Sequence, residues 1–130
     1  MKYKPISIET EKIATKVVDA AFAVHKQLGH GLLERVYEIC FSYELSKRGL
    51  QNEKQVIVPI IYDGKTLDET FRIDVLVEDE IVCELKSVTD MNPVFEAQII
   101  TYLKLTKKRL GFLINFNVPL IKDGIRRIVL

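Results

Sequence analysis

Apolar residues recur at steps of three and four from Ser7 to Leu28. Ile13, Val17, Ala20, Val24 and Leu28 fall on one side of a helix. Glu9 and Glu11 suit its N-terminus, and Gly29 can take the left-handed conformation that ends it. The same spacing predicts a second helix from about Gly31, closed by Gly49, with Leu33, Val36, Cys40 and Tyr43 turned inward. The period then changes to two. Gln55–Tyr62 is rich in Val and Ile, and Asp63-Gly64 predicts a tight hairpin turn. Pro59 lacks an N–H, which assigns this strand to a sheet edge. Phe71–Val77 and Ile81–Lys86 form a second hairpin around Glu78-Asp79-Glu80. Asn92 as cap and Pro93 at the first helical position open a helix to about Lys107. Leu110–Phe116 and Ile125–Leu130 are the last strands. The predicted order is α-α-β-β-β-α-β-β. It implies an α/β domain over residues 1–130, with a mixed central sheet between helices.

In the second hairpin, Phe71, Ile73, Val75 and Val77, then Ile81, Cys83 and Leu85, make one apolar set. The alternate set holds Arg72, Asp74, Leu76, Val82, Glu84 and Lys86, which predicts one core face and one face with two acids and two bases. Two readings are open, and strand register separates them. Pairing Asp74 with Lys86, or Arg72 with Glu84, gives a solvated face of cross-strand ion pairs. Pairing Asp74 with Glu84 sets Val77 opposite Ile81 and leaves Glu78-Asp79-Glu80 as a three-residue loop. The two acids then repel unless a divalent cation lies between them, and hard oxygen ligands suit Mg²⁺ or Mn²⁺. Lys86 points to the same side, where it can polarise an attacking water or stabilise charge on a phosphate.

Composition adds mainly exclusions. With 19 Lys+Arg against 18 Asp+Glu and a net charge of +1, no global field marks a nucleic-acid binder, so such contact requires a local patch. Lys104, Lys107, Lys108 and Arg109, with Arg126 and Arg127, are the candidates; the alternative for them is a solubilising face and helix-terminal charge. Cys40 and Cys83 match no zinc spacing and read as buried, reduced thiols. No leader or bilayer-length apolar run is evident, which implies a cytoplasmic protein with no membrane partner.

Asp74, followed one hairpin later by Glu84-Leu85-Lys86, resembles the core motif of PD-(D/E)xK nucleases. Gln98-Ile99-Ile100-Thr101-Tyr102 resembles the Q-x-x-x-Y motif of exonuclease-type members. Gly31-Leu32-Leu33-Glu34-Arg35-Val36-Tyr37 is similar to the signature of the GxxExxY family, a prokaryotic group of that superfamily. The resemblance runs from about Val24 to Leu130. It departs from the pattern at Ile73, where the motif's name has proline, at His30, where the family often has proline, and at Phe95, near a histidine of relatives.

The resemblance implies a three-layer restriction-endonuclease-like fold. It makes Asp74 and Glu84 metal ligands with the Leu85 carbonyl, Lys86 the catalytic lysine, and Glu34 an additional acid. It assigns Gln98 to orienting water or phosphate, and Tyr102 to its substrate-facing side. Read from the residues alone, Glu34 is also a favourable helix-terminal charge, Gln98 a surface amide, and Tyr102 and Tyr37 packing aromatics. The implied activity is Mg²⁺- or Mn²⁺-dependent hydrolysis of DNA or RNA. The alternative is a nucleic-acid- or protein-binding module that keeps the fold without turnover, such as a subunit of a homodimer.

Overall fold

The computed structural model describes residues 4–130. Helix α1 spans Ile8–Leu28; the Ser7 side chain accepts the Thr10 N–H at its start. Helix α2 spans Glu34–Lys47, strand β1 Asn52–Tyr62, β2 Lys65–Val77 and β3 Ile81–Lys86. Helix α3, Pro93–Thr106, is capped by the Asn92 side chain, and β4 (Leu110–Asn115) and β5 (Ile125–Val129) complete the sheet. The strands lie in chain order, antiparallel except for β3 with β4, which are parallel and linked through α3. Asp63 and Gly64 both have positive φ, as a tight hairpin turn between right-twisted strands requires. Pro59 lies in β1, at the sheet edge.

Helices cover both faces. On one side Val17, Val24, Tyr37, Phe41 and Leu45 pack against Val75, Val77, Cys83, Leu85 and Ile114. On the other, Ile99, Tyr102 and Leu103 of α3 pack against Ile73, Leu76, Val82 and Leu113. The result is the expected mixed three-layer α/β arrangement, and it leaves the end of β3 between the N-termini of α2 and α3.

Two expectations need correction. Helix α2 starts at Glu34, not near Gly31, and Leu33 and Tyr43 are 78% and 66% exposed. Val36 is also exposed, and Cys40 is half-buried. The inward residues are Tyr37, Phe41 and Leu45 instead. Both stripes are apolar at helical spacing; the aromatic one is buried because its rings find a third. Tyr37 stacks on Phe116 with centroids 4.5 Å apart, and Phe41 meets the same ring edge-on. The second correction concerns β2. Val75 and Val77 face α1 and α2, but Ile73 faces α3 and Phe71 is exposed, so the strand turns over at Asp74.

Tyr37 also fixes the turn before α2. Its hydroxyl donates to the Gly29 carbonyl at 2.7 Å and accepts the Leu32 N–H at 3.2 Å. Tyr37→Phe keeps the stack and loses both bonds, so urea denaturation should show a loss of about 1–3 kcal/mol.

Candidate metal and active site

Glu78 and Asp79 adopt left-handed backbone, with φ of 51° and 55°, and the Glu80 N–H closes on the Val77 carbonyl at 2.9 Å. This loop sets the ladder: Val77 pairs with Ile81, Leu76 with Val82 and Val75 with Cys83. The next pair in that register is Asp74 with Glu84. There the regular ladder stops and side chains take its place. Glu84 Oε2 accepts the Asp74 N–H at 2.8 Å, and Asp74 Oδ2 accepts the Leu85 N–H at 2.8 Å. Each acid therefore commits one oxygen to the opposite strand. The other Glu84 oxygen forms no hydrogen bond among the described residues, and Asp74 Oδ1 has only the Gln55 amide at 3.5 Å.

The pair sits where ionisation is costly. Glu84 is 1% exposed. Burial, and then the charge of Asp74, push its pKa up to about 8. Burial also raises Asp74, against the opposing pull of the Leu85 N–H and Lys86. Among the described residues neither acid forms an ion pair. Lys86 instead sets its ammonium over the Phe95 ring, 4.5 Å from the centroid, while its charge still lowers both acids.

Glu34 enters from the first turn of α2. The loop before it is tied to the end of β3 by Ser87, whose hydroxyl donates to the Leu32 carbonyl. Partial burial and then the Asp74 charge raise the Glu34 pKa, and Lys86 opposes them, so these three groups share one field. Behind the acids on α3, Gln98 donates to the Tyr102 hydroxyl at 3.0 Å. Tyr102 is 2% exposed, its ring packed in the core between α3 and the sheet. Burial raises its pKa, with smaller contributions from Glu84 and Asp74.

Three further residues at the site were given no role on sequence grounds. Glu38, one turn after Glu34, is 5% exposed and accepts from Gln55 at 2.9 Å. The Glu34–Glu38 spacing was the available signal, since residues four apart share a helix face. Gln55, within an apolar strand pattern, gave none. Asn115 is buried and clasps the segment after Lys86, accepting the Val88 N–H at 3.1 Å and donating to the Val88 carbonyl at 3.0 Å.

The basic residues do not form one patch. Leu110 pairs with Ile81, so Lys107, Lys108 and Arg109 lie at the end of β3 away from Glu84 and Lys86. Lys108 pairs with Asp79 at 3.2 Å, and Arg109 is spent on the carbonyls of Leu130, Lys4 and Pro5. Arg126 binds Glu96 of α3 at 2.7 Å and Arg127 binds Glu11 of α1 at 2.8 Å, on opposite faces because strand neighbours alternate. Lys104 is exposed on α3. These partners lie far away in sequence, so local charge counting could not choose between the two readings of the cluster.

A family model described as the PD-(D/E)XK nuclease superfamily matches residues 11–128. The chain belongs to this superfamily. No curated protein and no solved structure matches the chain. Its membership accounts for the mixed five-stranded sheet and for a nuclease-like fold with acids at the splayed end of β2 and β3.

PD-(D/E)XK nucleases generally use divalent metals. In this member, no three His, Cys, Asp or Glu side chains among the described residues group closely enough to hold an ion by themselves. The donor chemistry is nevertheless that of a hard-cation site: Asp74 and Glu84 are neighbouring carboxylates, and among the described residues neither forms an ion pair. Mg²⁺ tolerates few protein ligands and completes its shell with water. No helix among the described residues is long and apolar enough to cross a membrane.

Proposed function

We propose that the chain is a divalent-metal-dependent hydrolase of nucleic-acid phosphodiesters, of the GxxExxY group within its superfamily. Asp74 and Glu84, with the Leu85 carbonyl, would hold Mg²⁺ or Mn²⁺. The observation that carries this reading is the buried acid pair: two carboxylates brought together by strand register, with no side-chain ion pair to either among the described residues. Burial and mutual repulsion make the fully charged pair costly in the metal-free protein, whereas a bound cation favours it.

When bound, the cation supplies charge neutralisation for the scissile phosphate and a lower pKa for water. The chain's own residues do the rest. Glu84 and Asp74 are held by backbone N–H groups, so they meet the ligand without reorganising. The Lys86 ammonium stabilises negative charge in the transition state, and the Phe95 ring holds it at the site without neutralising it. Gln98 spends its amide N–H on Tyr102, which leaves its carbonyl oxygen to orient water. Glu34 adds a third negative group at the mouth.

The test is incubation of purified protein with labelled single- and double-stranded DNA and RNA, with Mg²⁺ or Mn²⁺, beside Lys86→Ala. Metal-dependent cleavage lost in the variant supports the reading. Equal cleavage by both proteins contradicts it.

A further inference from the structure

The pairing of β1 with β2 has a gap beside the site. Lys54 pairs with Val75 and Val56 with Ile73, so Gln55 lies opposite Asp74, yet these two do not pair as strand residues. Gln55 has a φ of 56°, in the left-handed region. Only glycine takes that conformation without steric penalty, so a long side chain held there points to a requirement for the side chain itself. Its amide nitrogen lies 2.9 Å from Glu38 Oε2 and 3.5 Å from Asp74 Oδ1. Resting on the metal-site reading above, we propose that Gln55 is a positioning residue, whose amide joins α2 to β2 and aims the Asp74 oxygen that a cation would meet.

The chemistry suits that task. One amide nitrogen carries two hydrogens and can serve two carboxylates at once. It does so without positive charge, so it holds the acids together without competing for the site as Lys or Arg would. Glu38 is nearly fully buried and needs a donor in any case, which anchors the amide on the helix side. On the strand side, Asp74 Oδ2 is already fixed by the Leu85 N–H, so contact at Oδ1 sets the remaining rotation of the carboxylate. The left-handed backbone at Gln55 also lies where β2 turns over, between Val75 on the α1–α2 side and Ile73 on the α3 side. The turn and the amide contact are thus one local feature.

The experiment compares Mn²⁺ affinity by calorimetry, and metal-free urea stability, for wild type, Gln55→Gly, Glu38→Ala and the double variant. Glycine suits the left-handed φ, which offsets the cost of leaving Glu38 without its donor, so Gln55→Gly should remain folded and yet bind Mn²⁺ about tenfold more weakly. Gln55→Asn, which also tolerates that φ but is a methylene short, should lose a similar factor. The double variant should bind no more weakly than the weaker single variant, because both changes break one bridge. Wild-type affinity in Gln55→Gly and Gln55→Asn, or full additivity with Glu38→Ala, overturns the role of Gln55 and leaves the acid pair as the metal site. A wild-type protein that takes up no Mn²⁺ overturns the metal site and the Gln55 role together.

Discussion

Lys86→Ala is expected to lower phosphodiester cleavage by at least about 100-fold, the usual effect of removing one preorganised group that faces transition-state charge. Lys86 ends β3, two residues beyond Glu84, and its ammonium lies against Phe95 and not against either acid. It is therefore not needed to hold the strands. The substitution forfeits one cation–π contact, about 0.5–1 kcal/mol at an exposed site, and leaves the fold intact. Mn²⁺ affinity should be unchanged or slightly raised, because a positive neighbour is removed. Turnover should thus collapse while urea stability and metal uptake persist. A parallel loss of all three would instead make Lys86 a structural residue.

Metal-free protein should lose stability as pH rises, and Glu84→Gln should remove most of that loss. The pKa of Glu84, about 8 in the fold against an ordinary 4.5, means that the folded protein keeps a proton the unfolded chain releases. Its contribution is complete below the unfolded value and disappears as pH climbs through the folded one. Between about pH 5.5 and about pH 8.5 the loss should be on the order of 3 kcal/mol by urea denaturation in a chelator. Glutamine stands in for the protonated acid and still accepts the Asp74 N–H. Mn²⁺ favours the charged pair, so saturating metal should flatten or reverse the wild-type slope. A slope of equal size in wild type and Glu84→Gln would assign the titration to other groups.

The parts of this architecture that were legible in the sequence depend on local chemistry. Asn92-Pro93 can hardly do other than start a helix, and Asp63-Gly64 accepts the positive φ values that a tight hairpin demands. The three-residue loop at Glu78-Asp79-Glu80 carries further, because its length determines that Asp74 and Glu84 are the next pair in register. What escaped depends on contacts made across the fold. Helix α2 has two apolar stripes, and only the presence of Phe116 decides between them. Arg126 and Arg127 read as basic until Glu96 and Glu11 are seen against them. Gln55 was hidden for a different reason. A residue driven into left-handed backbone by its tertiary setting looks in sequence like any polar position in a strand.

Asp74 and Glu84, read as a cation site, should couple metal binding to folding. The most direct measurement of that coupling is the shift in unfolding free energy on adding Mn²⁺ to wild type and to Asp74→Ala. At a hundred times the dissociation constant, linkage predicts a gain of about 2.7 kcal/mol for wild type and none for the variant. An equal gain in both proteins would show that Mn²⁺ binds elsewhere and that Asp74 and Glu84 are not its site.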